Sequence, residues 1–253
     1  MFAEERQGLI VKQLNQVGKV SVKELSELYA VTQATIRNDL KALEDKDLLI
    51  KTYGGALTKT DAHHELDSDT RQSINELAKL AIGKKATELI KDYQTVLLDT
   101  GTTTYHIAKH IQDHRGLTVI TNDFDIAKLL ELSPHIQVLL LGGLVKTGYH
   151  CTYHHHYSAM LRELNIDIAF MGTNSLNGEG AFAADIQLAQ TKRLMVQRAN
   201  KIVMCCDNDK FERKAFSRFA TLGDIDIVIA DRLPENTECF EEHGIEMLIV
   251  DDF

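Results

Sequence analysis

Seven short apolar runs constrain this chain more than any other feature. They are TVLLD (95–99), LTVIT (117–121), QVLLLGG (137–143), DIAFMG (167–172), KIVMCCD (201–207), IDIVIAD (225–231) and EMLIVD (246–251), with helical segments between them. A strand with one face in water alternates apolar and polar side chains, whereas unbroken Val, Ile and Leu mark strands covered on both faces. From Ile74 onward the sequence therefore predicts an α/β domain with a mainly parallel sheet. Ligands of such sheets gather at the carboxyl ends of the strands. Polar residues stand at those ends: Asp99 to Thr104, Thr121-Asn122-Asp123, Gly142-Gly143, Gly172-Thr173-Asn174 and Asp207 to Lys210.

The first 57 residues follow a different period. Leu9, Ile10, Leu14 and Val17 fall on one helical face, and Gly18 closes the segment. Ser21, with Glu24 three positions later, predicts a capping box for a second helix whose apolar stripe is Val22, Leu25 and Leu28. Ala30-Val31-Thr32 forms a tight turn, Thr32 caps a third helix, and Ile36, Leu40 and Leu43 are its buried positions. Two short helices around such a turn are a helix-turn-helix, and LLIKTYGGA supplies a strand running into the glycine turn of a wing. Thr32, Gln33, Ala34, Thr35, Arg37, Asn38 and Lys41 are the candidate DNA contacts of the third helix. Gln33, Arg37 and Asn38 have side chains that pair bidentately with base edges, while Lys41, Lys51, Thr52 and Tyr53 suit contacts beside the phosphates.

Between the two patterns, residues 58–73 are polar, carry Asp61, Asp67 and Asp69 and show no apolar period, which predicts a linker. The expected organisation is thus a DNA-binding domain over 1–57, a linker over 58–73 and an effector-sensing and oligomerisation domain over 74–253. Charge supports the division. Residues 1–60 hold nine Lys+Arg against eight Asp+Glu, a net of +1, so the net of −9 for the whole chain leaves −10 on the remainder. Only the N-terminal piece escapes the acidic bias that disfavours nucleic acid. No run is long enough to span a membrane, and MFAEERQGLI lacks the basic then apolar order of a signal peptide, so the expectation is a cytoplasmic protein. Cys151, Cys205, Cys206 and Cys239 lack the spacing of a zinc ribbon or a disulfide scaffold and are expected as free thiols.

The segment VTQATIRNDLKALEDKDLLIKTYGGA resembles the winged helix-turn-helix of DeoR-type transcriptional regulators. LLDTGTTT, VITND, LLLGG, DIAFMG and CDNDKF follow in that family's order, so the resemblance covers nearly the whole chain. Thr32 stands where the family usually has Ser, which keeps the cap. Asn38 stands where a second Arg is usual, which removes a positive charge from the reading helix. The resemblance implies a ribose-phosphate-isomerase-like second domain that senses a phosphorylated sugar, and a regulator, more often a repressor, of a sugar-metabolism operon. Double-stranded operator DNA, a phosphorylated sugar and further copies of the chain (dimer or tetramer) are the implied partners, with no cofactor.

The pocket itself is read from Thr100-Gly101-Thr102-Thr103-Thr104, where a strand turns into a helix. Backbone N–H groups, hydroxyls and the positive end of the helix dipole favour a phosphate there. Asp99, Asn122, Gly142, Gly143, Lys192, Asp207 and Lys210 complete the candidate effector site. Neither Gly-x-Gly-x-x-Gly nor Gly-Lys-Ser/Thr is present, which argues against dinucleotides and nucleoside triphosphates. Asp99, Asp207 and Lys210 are acid/base groups by type, so an isomerase-like enzyme with an accessory DNA-binding domain is the alternative; no catalytic residue is assigned. GYHCTYHHHY holds His150, Cys151, His154, His155 and His156, but adjacent histidines diverge and no carboxylate is close in sequence, so no metal site is expected there or at His63-His64. Lys192 and Arg193, on a helix predicted from Ile186 to Ala199, reach a ligand or simply face solvent.

Overall fold

The computed structural model describes residues 2–17, 19–46, 48–52, 54–58, 67–153, 157–211 and 213–250. Tyr53, Gly18, His63, His64 and His154 to His156 lie outside the described residues. The chain divides into two units, Met1–Asp61 and Ala62–Phe253.

In the first unit α1 (Ala3–Val17) leads through β1 (Lys19–Ser21) to α2 (Val22–Leu28) and α3 (Gln33–Asp45), and β2 (Leu49–Thr52) with β3 (Gly55–Thr58) forms the wing. Ser21 Oγ accepts the Glu24 N–H at 3.0 Å and Thr32 Oγ1 accepts that of Thr35 at 3.1 Å, so both helices begin at the predicted caps. Ala30 takes φ +52° in the turn between them. Ile10, Leu14, Leu25, Ile36 and Leu40 are fully buried and form one cluster; each contributes roughly 1.5–3 kcal/mol of transfer free energy. Leu9 and Leu28, expected on the apolar stripes, are 40% and 61% exposed, because the short helices bury a narrower face than their periodicity suggests. The strand β1, too short to show a period, pairs antiparallel with β3, giving the sheet order β1-β3-β2.

The second unit opens with α4 (Ser68–Gln72), inside the polar stretch read as linker, followed by α5 (Glu76–Thr87). Then come β4 (Thr95–Leu98), α6 (Thr102–His110), β5 (Leu117–Thr121), α7 (Phe124–Leu130) and β6 (Ile136–Leu140). A hairpin of β7 (Leu144–Lys146) and β8 (Cys151–Tyr153) precedes α8 (Tyr157–Arg162) and β9 (Ile168–Met171). Next are β10 (Ser175–Asn177), β11 (Gly180–Ala183), α9 (Ile186–Val196), β12 (Ile202–Cys205) and β13 (Ser217–Ala220). The chain continues into β14 (Ile227–Ala230), α10 (Glu238–Glu242) and β15 (Glu246–Ile249).

Each of the seven apolar runs supplies one strand of a parallel sheet ordered β15-β14-β12-β9-β4-β5-β6. Val96 and Leu98 face one hydrophobic layer with Ile82 of α5 and Ile107 of α6, while Leu97 faces the other with Met195 of α9. Burial on both faces is why these runs lack alternation. The strands β10, β11 and β13 form a separate antiparallel sheet. From β4 the chain winds outward through β5 and β6, whereas β9, β12, β14 and β15 occupy the opposite side. The topological switch point therefore lies between β4 and β9.

Candidate functional site

Two groups of residues carry chemistry, one in each unit. On α3, Gln33, Ala34, Arg37, Asn38 and Lys41 are exposed, as are Thr32 and, on β2, Lys51, while Thr35 and Thr52 are half-buried. The Arg37 guanidinium donates to Gln33 Oε1 at 3.1 Å, one turn away, and the Lys51 N–H donates to Glu44 Oε1 at 3.0 Å, joining wing to helix. Beneath this face, Arg6 Nε and Nη2 donate to the two oxygens of Asp39 at 2.6 and 3.1 Å, and both side chains are buried. The hydrogen bond to Asp39 raises the Arg6 pKa further above its ordinary value. This forked pair ties α1 to the inner face of α3, and sequence reasoning missed it because Asp39 reads as one more polar helix residue.

The second group sits at the switch point. The register that pairs Leu98 with Phe170 brings Asp99, just past β4, to the N–H of Gly172, just past β9, at 3.0 Å. Lys192 reaches the same carboxylate oxygen from α9 and also donates to Gly172 O at 3.1 Å. Lys192 is 5% exposed, so it is not the solvated helix charge that its position allowed. Arg193 beside it is exposed and donates to Arg218 O. Burial pushes the Asp99 carboxyl above the usual carboxylate range, against the pull of Lys192. Among the described residues its second oxygen, Oδ1, has no hydrogen-bond partner, and neither has Oδ1 of the buried Asn122. Two buried acceptors without donors are a large local deficit unless a ligand supplies hydroxyls or amides.

The threonines divide by task. Thr100 Oγ1 donates to Asp123 Oδ2 at 2.8 Å, and Thr104 Oγ1 donates to the carbonyls of Asp99 and Gly101 at 2.6 and 2.9 Å. These two hydroxyls hold the turn. Asp123 caps α7 through the N–H groups of Asp125 and Ile126, and burial raises its carboxyl. Thr102 and Thr103, at the first turn of α6, make no side-chain hydrogen bond among the described residues. Asp207 is buried and accepts from Asn75 Nδ2 at 3.2 Å, with Lys210 on the following turn. Gly142 and Gly143 are exposed beyond the edge strand β6, with open space where a Cβ on Gly142 would stand.

Cations missed in the sequence surround this edge. Lys79 of α5 is 4% exposed and donates to Arg71 O at 2.5 Å. Burial, helped by Lys210, Arg71 and Arg213 and opposed by Asp207, lowers it to about 7. Arg71 and Lys146 lie 5.5 and 5.2 Å from the centre of the Tyr149 ring, and Lys146 pairs with Asp185, the cap of α9. His150 Nδ1 donates to Asp125 Oδ2 at 2.7 Å, and this hydrogen bond raises its pKa. The sequence showed no nearby carboxylate for His150; Asp125 is brought from 25 residues away. Cys151, expected in an exposed passage, is instead a buried strand residue whose thiol is pushed up to about 11. Among the described residues no group of His, Cys, Asp and Glu could hold a metal ion.

A winged helix-turn-helix carried with an α/β unit that gathers cations, hydroxyls and unsatisfied acceptors at its switch point has the parts of a ligand-responsive DNA-binding regulator. Residues 6–61 match the DeoR-like helix-turn-helix domain, and residues 74–232 match the DeoR C terminal sensor domain. The chain belongs to the DeoR family of transcriptional regulators. It is 31% identical over 255 residues to the HTH-type transcriptional repressor GlcR of Bacillus subtilis, covering 99% of this chain and 98% of that protein. It is equally 31% identical over 251 residues to a putative aga operon transcriptional repressor of Escherichia coli O157:H7, covering 97% and 93%. Among solved structures, a ribose 5-phosphate isomerase from Plasmodium falciparum aligns with 55% of this chain and 53% of its own, at 16% identity and a TM-score of 0.40. No helix among the described residues is long and apolar enough to cross a membrane.

Proposed function

We propose that this regulator is a repressor of a sugar-metabolism operon, acting in the cytoplasm and controlled by a phosphorylated sugar bound at the β4/β9 switch point. The observation that carries this reading is the set of groups converging there. Asp99 Oδ1 and Asn122 Oδ1 lack donors among the described residues, which suits a ligand rich in hydroxyls, and Thr102, Thr103 and Lys210 suit its phosphate. Lys192 and Asp207 orient the acid and the far end of the site, while Thr100, Gly101 and Thr104 shape the turn. Relatives named as repressors, one of the aga operon, support repression of sugar genes.

Control of DNA binding requires the sugar phosphate to bind differently to the DNA-competent and DNA-incompetent states. The reading face is Thr32, Gln33, Ala34, Thr35, Arg37, Asn38 and Lys41, with Lys51, Thr52 and Tyr53 at the phosphates. A single near-neutral head is a weak binder, so heads paired on spaced half-sites through the C-terminal units give the affinity. A gel shift with the DNA upstream of the gene, at fixed salt, tests the reading. Arg37→Ala is expected to weaken operator binding by roughly 10-fold or more; unchanged affinity overturns the reading-face assignment.

A further inference from the structure

Two charged residues of the DNA-binding unit occupy positions where the helical pattern calls for apolar ones. On α1 the buried stripe runs Arg6, Ile10, Leu14, and on α3 Asp39 shares the inner face with Ile36, Leu40 and Leu43. Arg6 is 6% exposed and Asp39 4%, so their forked pair is part of the buried contact between the two helices. Gln7 adds a further donor to Asp39 Oδ1 at 3.2 Å, and Lys46, the C-cap of α3, donates to Gln7 Oε1 at 3.4 Å. The start of α1 therefore grips α3 at its middle and at its C-terminal end.

Stability alone does not account for this arrangement. Withdrawing a guanidinium and a carboxylate from water costs nearly as much as their attraction returns, and apolar side chains of similar volume often hold a fold equally well. What an apolar pair lacks is direction. A stripe of Ile and Leu packs over a range of helix rotations, because hydrophobic contact is non-directional. Two N–H···O bonds from a planar guanidinium instead fix the angle and height of the carboxylate. On α3 that angle matters, since Asp39 directly follows Arg37 and Asn38 and stands two residues before Lys41. With about 100° between successive residues, holding Asp39 inward sets the directions in which these three side chains leave the helix. Hydrogen bonds to base edges tolerate little displacement, because a bidentate pair needs both of its bonds.

We propose that Arg6 and Asp39 are positioning residues for base readout: buried away from the DNA, their fork sets the rotation of α3 that presents Gln33, Arg37 and Asn38 to the major groove. The assignment rests on the proposed reading face. It separates two quantities that a loss of fold would move together. Affinity for any DNA comes from phosphate contacts, which follow charge and survive a small rotation of the helix. Preference for the operator comes from base edges and does not. The pair is neutral as a whole, so replacing both members leaves the net charge of the unit unchanged.

The test compares a duplex of the DNA upstream of the gene with a shuffled duplex of equal length, in gel shifts of the full chain at one salt concentration, with thermal melting as a check of folding. The paired variant, Arg6→Met with Asp39→Leu, leaves no lone buried charge. It is expected to fold, to bind the shuffled duplex as the parent does, and to lose about 10-fold or more of the preference for the upstream duplex. Arg6→Lys keeps the charge without the fork and is expected to lose several-fold of that preference, which keeps the assignment testable if the paired variant does not fold. An equal loss on both duplexes would mean a purely structural role and overturn the assignment, as would folded variants with the parent's preference. Arg37→Ala is the control for the reading face. If it too keeps the parent's preference, the reading face is wrong and the positioning role falls with it; if it alone loses the preference, only the positioning role falls.

Discussion

His106 is buried at the α5/α6 contact with neither ring nitrogen hydrogen-bonded among the described residues, and burial lowers it to about 4. The unfolded chain, at 6.5, takes up this proton first as pH falls, so the stability that the neutral ring allows is fully present above about 6.5 and is lost between 6.5 and 4. Replacing His106 with Leu is expected to raise stability by roughly 1–3 kcal/mol at neutral pH and to flatten the acid limb. Urea unfolding on either side of that window measures it; parallel pH profiles for parent and variant would refute the account of the ring. Residue type alone did not disclose such environments. Thr100 and Thr104 looked the same as Thr102 and Thr103 in the sequence, because a hydroxyl already bonded to its own backbone has the same letter as a free one. Lys192 likewise read either as a ligand contact or as a solvated helix charge, since a lysine stem is long enough to suit either side of an amphipathic helix.

At the level of elements, the wing depends on Gly55. A Cβ there would stand 1.9 Å from Val20 O, so β1 and β3 could not keep their pairing. Gly55→Ala is expected to cost about 3 kcal/mol or more and to abolish operator binding, while phosphate binding by the α/β unit persists. Intact operator affinity in the same gel shift would show that the β1–β3 sheet is dispensable. The seven parallel strands were legible because each apolar run is buried on both faces, and the helix-turn-helix because its caps and stripe agree. Neither β1, at three residues, nor α4, at five, is long enough to print a period. The fastening of α4 depends on Lys79 of the next helix and on the Gly148 carbonyl, which accepts the Ser68 N–H at 2.8 Å and lies far along the chain.

Across the whole molecule, charge and chemistry are divided between the units. A net of +1 over residues 1–60 leaves DNA binding to a few directed contacts, and the acidic remainder discourages non-specific attachment. Within that acidic remainder, the switch point holds its cations together, which favours a small anion over nucleic acid. A linked system of this kind shifts operator affinity only by the ratio of effector affinities in its two states, typically about 5- to 150-fold. The most direct measurement is fluorescence anisotropy of labelled operator DNA at fixed salt, titrated with the full chain in the presence of sugar phosphates and their unphosphorylated counterparts. The account predicts that one phosphorylated sugar weakens operator binding by about 5-fold or more, while its unphosphorylated counterpart does nothing. Operator affinity that is indifferent to every phosphorylated sugar, or that responds equally to the free sugar, would contradict it.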